Sequence, residues 1–289
     1  MTRSGRGITL PTCIELGTGD VAVFLLHGVG GRATAWDQTL PVLAGQGFRC
    51  IAWDAPGYGE SPWVEPYTTR SLANALLELI DSVGATRNVI LGHSMGGLIA
   101  QEAVAMRATG IHGLILFSTS PAFGKPGGDW QQQFLTSRFA PLDAGLGLAG
   151  MAPALVKSMV APAQIGDGLG DMQGNVQGNV QGDAQRYTHA VMAAVKLMSS
   201  VPEATYRAAL SAIVSFNRLD NLANIAVPTL CLAGEFDTNA PPAVMEKMAS
   251  RIPNARYQCL PGVGHLGNLE APDQFNAAVL AFLKTHFAA

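Results

Sequence analysis

The chain has 289 residues, of which 48% are hydrophobic and only 13% charged, against about 25% charged in an ordinary soluble domain; disorder is excluded for most of it, and a large share must be buried. Eighteen Lys and Arg against 21 Asp and Glu give a net charge of -3, with no basic cluster to neutralise a row of phosphates, so no nucleic-acid partner is expected. The apolar run Val21–Leu26 falls far short of the roughly 20 residues that cross a bilayer, and Met1–Leu16 lacks the apolar stretch of a signal peptide, so no membrane partner and a cytoplasmic location are expected.

In chain order, Val21–Leu26, Phe48–Trp53, Asn88–Leu91 and Ile111–Phe117 read as buried strands, with helices predicted near Ala35–Ala44, Ser71–Val83 and Gly96–Arg107. Alternation of strand and helix implies a parallel sheet with helices on both faces. The same order returns with a strand at Thr229–Ala233, a helix at Pro242–Arg251, a strand at Arg256–Leu260 and a helix at Asp273–Phe287. One sheet is therefore interrupted. Residues 121–217 carry no strand signature, and their clearest helices are Ala190–Met198 and Glu203–Phe216. This segment is expected to form a helical cap, or lid, on a core built from residues 1–120 and 218–289.

Four tetrapeptides beginning at Gly170, Gly174, Gly178 and Gly182 form the internal repeat. Glycine at every fourth position with Asn and Asp beside it opposes both helix and strand, so a flexible loop is expected over 166–185. Met151, Met159, Met172, Met192 and Met198 also fall in the cap; so soft a side chain suits a surface that repacks around ligands, and equally plain core filling. Cys13, Cys50, Cys231 and Cys259 lie far apart with no C-x-x-C pair, which favours reduced thiols over a disulfide framework or a zinc site.

Gly92-His93-Ser94-Met95-Gly96 matches G-x-S-x-G, in which a serine sits on a strained strand-to-helix turn with its oxygen exposed. Random placement would produce the pattern about 0.2 times in such a chain, so context decides. The apolar run before it and the helical pattern after it supply that context, and Ser94 is the candidate nucleophile. A serine hydroxyl needs a base, and the base a carboxylate to orient it. Of six histidines, His265 lies in a glycine-rich loop directly after the last strand, at the edge where a parallel sheet presents reactive groups. The loop after Thr229–Ala233 offers Glu235 and Asp237; Asp237 lies further into it, keeps the order Ser, Asp, His, and is preferred. For the oxyanion, the glycine-rich turn His27–Gly31 offers the Val29 N–H, and Met95 the other donor. That turn lacks the G-K-[ST] ending of a phosphate loop.

Together His27-Gly28, the stretch Asp54–Ser61, Gly92–Gly97, Gly234–Asp237 and Gly264-His265 resemble the α/β-hydrolase family over nearly the whole chain. The resemblance implies an eight-stranded, mostly parallel sheet with a cap inserted after the sixth strand, here Ile111–Phe117, and a structural role for the Asp54–Ser61 loop. A serine at the elbow argues against haloalkane dehalogenases and epoxide hydrolases, whose nucleophile is an aspartate. Gly264–Glu270 and Pro228–Asp237 look similar to the 3-oxoadipate enol-lactonases and neighbouring hydrolases of aromatic-compound breakdown. Meta-cleavage product hydrolases often carry a tryptophan after the histidine, where this chain has Leu266.

The expected activity is hydrolysis of a carboxylic ester or lactone through an acyl-enzyme, with no metal or organic cofactor. Carbon–carbon hydrolysis of a vinylogous diketone is the alternative within enzymes, and a hydrolase-fold small-ligand receptor the alternative outside them. Gly28, Gly30, Trp36, Arg138, Met151, Met159 and Leu266 are the expected substrate-binding residues. Lys125, Arg138, Arg186 or Arg207 would meet a carboxylate on the substrate. The partners expected are a small-molecule ester, lactone or diketone and a second copy of the chain in a homodimer.

Overall fold

The computed structural model describes residues 10–124, 127–162 and 180–287, and only the backbone of residues 180–188. Seven strands form one sheet among the described residues: β1 (Cys13–Leu16), β2 (Val21–Leu26), β3 (Arg49–Trp53), β4 (Arg87–His93), β5 (Gly113–Phe117), β6 (Thr229–Gly234) and β7 (Ala255–Leu260). Their order is β1-β3-β2-β4-β5-β6-β7. β1 runs antiparallel to β3, and all other neighbours are parallel. The sheet thus has seven described strands where eight were expected, and the inserted segment follows the fifth of them rather than the sixth.

β2, β5 and β6 are buried along their whole length, as strands covered on both faces must be. Alternate residues go to opposite sides. Ala22, Phe24, Leu26, Ile90, Leu114 and Leu116 pack on the face covered by α2 (Thr69–Val83) and α3 (Met95–Met106). Val23, Leu25, Leu91, Ile115 and Phe117 pack on the other, against α1 (Leu40–Ala44) and α10 (Pro272–Phe287). α2 begins where the Thr68 hydroxyl accepts the Ser71 N–H at 3.1 Å and ends at Gly84 with φ 64°, a side-chain cap and a left-handed stop.

The helix predicted over Ala35–Ala44 is two pieces, a 3-10 turn at Ala33–Trp36 and α1. Pro41 lies in the first turn of α1, where its missing N–H costs nothing, so the helix starts anew there. β1 was not foreseen.

Between β5 and β6 lie α4 (Asp129–Asp143), α5 (Gly147–Lys157), α6 (Val180–Ser199) and α7 (Glu203–Val214). The two ends of this insertion are tied together, Phe123 N–H to Phe216 O at 3.0 Å and Arg218 N–H to Pro121 O at 2.8 Å. Arg218 then donates through Nε and Nη2 to both oxygens of buried Glu102 on α3, a fork-on-fork pairing that fixes the neck to the core. α6 begins at Val180, so the last six residues of the loop expected over 166–185 are helical; residues 166–179, Met172 among them, lie outside the described residues. The final helices are α8 (Pro242–Ala249), the short α9 (Gly267–Glu270) and α10.

Candidate active site

Ser94 joins β4 to α3 with φ 52° and ψ -115°, a conformation that side chains other than glycine rarely adopt. Its N–H donates to Phe117 O at 3.0 Å, and its carbonyl accepts from Thr119 Oγ1 at 2.8 Å, so the strained turn is held from β5 and the loop after it. Glycines flank it because the chain crosses itself: a Cβ on Gly92 would overlap the Gly96 carbonyl, and one on Gly96 the Leu26 carbonyl.

At the ends of β6 and β7 the side chains of Asp237 and His265 are both buried, with His265 Nδ1 2.8 Å from Asp237 Oδ2. The other oxygen, Oδ1, accepts the N–H groups of Asn239 and Ala240 at 2.8 and 2.9 Å. Burial alone would raise the Asp237 pKa, but attraction to His265 and hydrogen bonds from His265 and the Ala240 N–H outweigh it and hold the carboxyl below its ordinary value. An ionised carboxylate only accepts, so Nδ1 carries the proton and Nε2 is the acceptor of the ring. Glu235, the other carboxylate of this loop, turns away and accepts the Gly262 N–H at 2.8 Å.

The turn after β2 is aimed by groups the motif alone did not reveal. His27 accepts the Ala55 N–H at Nε2, 3.0 Å, and donates from Nδ1 to Gly28 O, 2.8 Å; burial keeps it neutral, lowering its pKa to about 4. Gly28 O also accepts the Gly31 N–H at 2.9 Å. In a planar trans peptide C=O and N–H point opposite ways, so fixing Gly28 O fixes the direction of the Val29 N–H. Tyr58 Oη donates to Val29 O at 2.9 Å, and Asp54 accepts the Ala33 N–H at 2.7 Å and pairs with Arg32. The Asp54–Ser61 loop is thus a brace for the glycine-rich turn. Met95 is the first residue of α3, where N–H groups have no partner within the helix.

These groups open on one cavity of about 450 Å³ at the C-terminal ends of the strands, within the usual range for a small-molecule site. Ser94, Met95, Val29 and His265 line it, as do Gly28, Gly30, Trp36, Arg138, Met159 and Leu266. Phe134, Met159, Met198 and Leu210 of the insertion face Val29 and Leu98 of the core across it. Met151 does not line it: α5 turns this side chain into the hydrophobic core, where it is buried. Of the other methionines of the insertion, Met198 reaches the cavity and Met192 is exposed. Arg207 is engaged by Asp143 and Glu203, while Lys125 and the side chain of Arg186 lie outside the described residues.

Two residues that the motifs did not single out hold the His265 loop. His93, inside the elbow motif, donates from Nε2 to His265 O at 2.9 Å; burial, then the neighbouring His265, lowers its pKa to about 3. Glu270 Oε2 accepts the N–H groups of Ala161 and Gly264 at 2.9 and 3.1 Å, and Oε1 that of Leu266 at 2.9 Å. His265 N–H donates to Met159 O at 2.7 Å, so the loop is also fastened to the insertion. The signal for Glu270 was its place in the Gly264–Glu270 stretch, but its partners were visible only in space.

The chain is 28% identical over 276 residues to a Mycobacterium tuberculosis protein described as "Putative non-heme bromoperoxidase BpoC", covering 92% of this chain and 94% of that one. The pimeloyl-[acyl-carrier protein] methyl ester esterase of Edwardsiella ictaluri is 28% identical over 272 residues, 92% and 94% of the two chains. The enol-lactonase of Burkholderia xenovorans LB400 shares the fold, with TM-score 0.78 and 23% identity over 94% of this chain and 96% of that one. The sequence profile of the alpha/beta hydrolase family matches residues 23–278, and with this sheet and these relatives the chain belongs to the alpha/beta hydrolase family.

Proposed function

We propose that this hydrolase cleaves a carboxylic ester or lactone through an acyl-enzyme on Ser94, under a cap formed by the insertion. Ser94 Oγ attacks the carbonyl carbon while its proton passes to His265 Nε2, and Asp237 supports the imidazolium that results. The Val29 and Met95 N–H groups receive the negative charge on the carbonyl oxygen. The C–O bond breaks, the leaving alcohol takes the proton from His265, and a water activated by the same nitrogen then releases the acid and restores Ser94.

The observation that carries this mechanism is a buried Asp237–His265 pair at 2.8 Å opening on the same cavity as a serine held at φ 52°. An esterase among the relatives and an enol-lactonase among the fold neighbours agree with the bond type. Leu266 on the wall, where carbon–carbon hydrolases often have a tryptophan, favours esters and lactones. The test is kinetic and chemical. Ser94→Ala is expected to lower kcat on p-nitrophenyl butyrate by about 10⁶-fold, and a fluorophosphonate should add its mass to the Ser94 peptide of the wild type alone. Near-wild-type turnover by the variant, or labelling elsewhere, overturns the assignment.

A further inference from the structure

We propose that the cavity selects esters or lactones whose acyl part ends in a carboxylate, and that Arg138 of the insertion receives that carboxylate. This substrate class rests on the hydrolase mechanism above and narrows it.

Arg138 is the one Lys, Arg, Asp or Glu among the described residues that line the cavity. Five other arginines are already committed: Arg32 to Asp54, Arg49 to Glu15, Arg107 to Asp81, Arg207 to Asp143 and Glu203, and Arg218 to Glu102. Arg138 makes no ion pair among the described residues. Its guanidinium lies 5.3 Å from the centroid of the Phe134 ring, and its charge reaches Tyr206, which lines the same cavity. A cation–π contact at this distance uses none of the N–H donors in hydrogen bonding, so they remain available to grip a carboxylate by two parallel hydrogen bonds. The surrounding wall is largely apolar, which strengthens such a pair over one formed in water. The cation comes from α4 and the nucleophile from the end of β4, so a substrate reaching both spans core and insertion. A neutral acyl chain would use the apolar wall and leave the guanidinium without an anion.

The test uses ω-carboxyl p-nitrophenyl monoesters with acyl chains of about four to eight carbons, each paired with the methyl-ended ester of equal length and corrected for spontaneous hydrolysis. For at least one length, kcat/KM of the wild type should favour the carboxylate by about tenfold or more. In Arg138→Met the ratio within that pair should fall about tenfold, mainly through KM, with Arg138→Lys between the two. Thermal unfolding supplies a readout that needs no turnover: adipate should raise the Tm of Ser94→Ala, and not that of Ser94→Ala carrying Arg138→Met. Turnover of both esters with no preference at any length, or a preference that survives Arg138→Met, overturns the carboxylate site and leaves the hydrolase standing. Stabilisation by adipate through Arg138 without turnover of any ester overturns the hydrolase and leaves the site.

Discussion

Glu270 is a buried carboxylate whose hydrogen bonds all go to backbone amides, those on either side of His265 and that of Ala161 in the insertion. Burial raises its pKa, and the three N–H donors offset this only in part. A glutamine at this position presents one acceptor oxygen and an NH₂ that cannot accept, so at least one buried N–H loses its partner, at about 1–3 kcal/mol. Glu270→Gln is therefore expected to lower kcat by about 10-fold or more while KM moves less, because it disturbs chiefly the position of His265. Steady-state kinetics beside a circular-dichroism melt would check this, and a fully folded variant with unchanged kcat would contradict it. That Ser94, His265 and Asp237 would come to neighbouring strand ends was legible because each stands in a local motif directly after a strand. Glu270, His93 and Tyr58 were not, because what they do depends on partners brought up by folding; His93 and His265 are 172 residues apart.

Elements were readable in proportion to how evenly they are buried. β2, β5 and β6 are continuous apolar runs because both faces of the sheet are covered. β1 is four residues at the sheet's edge, with Ile14, Glu15 and Leu16 exposed, and so short and open a strand leaves little pattern. α4 has Pro141 near its end, three consecutive glutamines, and few buried residues, which hides it from a search for apolar periodicity. α3 packs closely on β2 beneath the elbow, where a Cβ on Gly96 would overlap the Leu26 carbonyl. Gly96→Ala must push helix and strand apart, at about 1–3 kcal/mol, and a fall in Tm of several degrees is expected together with loss of turnover. A variant with wild-type Tm would mean that the elbow yields more easily than its packing implies.

At the scale of the molecule, pH should act on stability through two buried neutral histidines. His27 and His93 take up protons only near pH 4 and 3 in the folded chain, against about 6.5 when unfolded. Between those values the unfolded chain binds more protons, so this contribution is present above about pH 6.5 and is lost as pH falls toward 4. Asp237, whose pKa is lowered, adds its own loss only further down, as pH drops below about 3.8. Glu270, whose pKa is raised, has the opposite sign and costs stability as pH rises through its titration. The Tm of the wild type should fall between pH 6.5 and 4.5, and that of His93→Gln, which can still donate to His265 O, should fall less; parallel curves would refute the role of His93.

The amino-acid sequence by itself determined the kind of sheet and which motif residues come to the C-terminal ends of its strands, because apolar runs and glycine-rich turns are local properties. Which cation lines the cavity, which methionines form its wall and which carboxylate holds the His265 loop were decided only by the tertiary structure. The cavity is a gap between two layers, and its lining comes from segments whose spacing is set by how the insertion packs on the core.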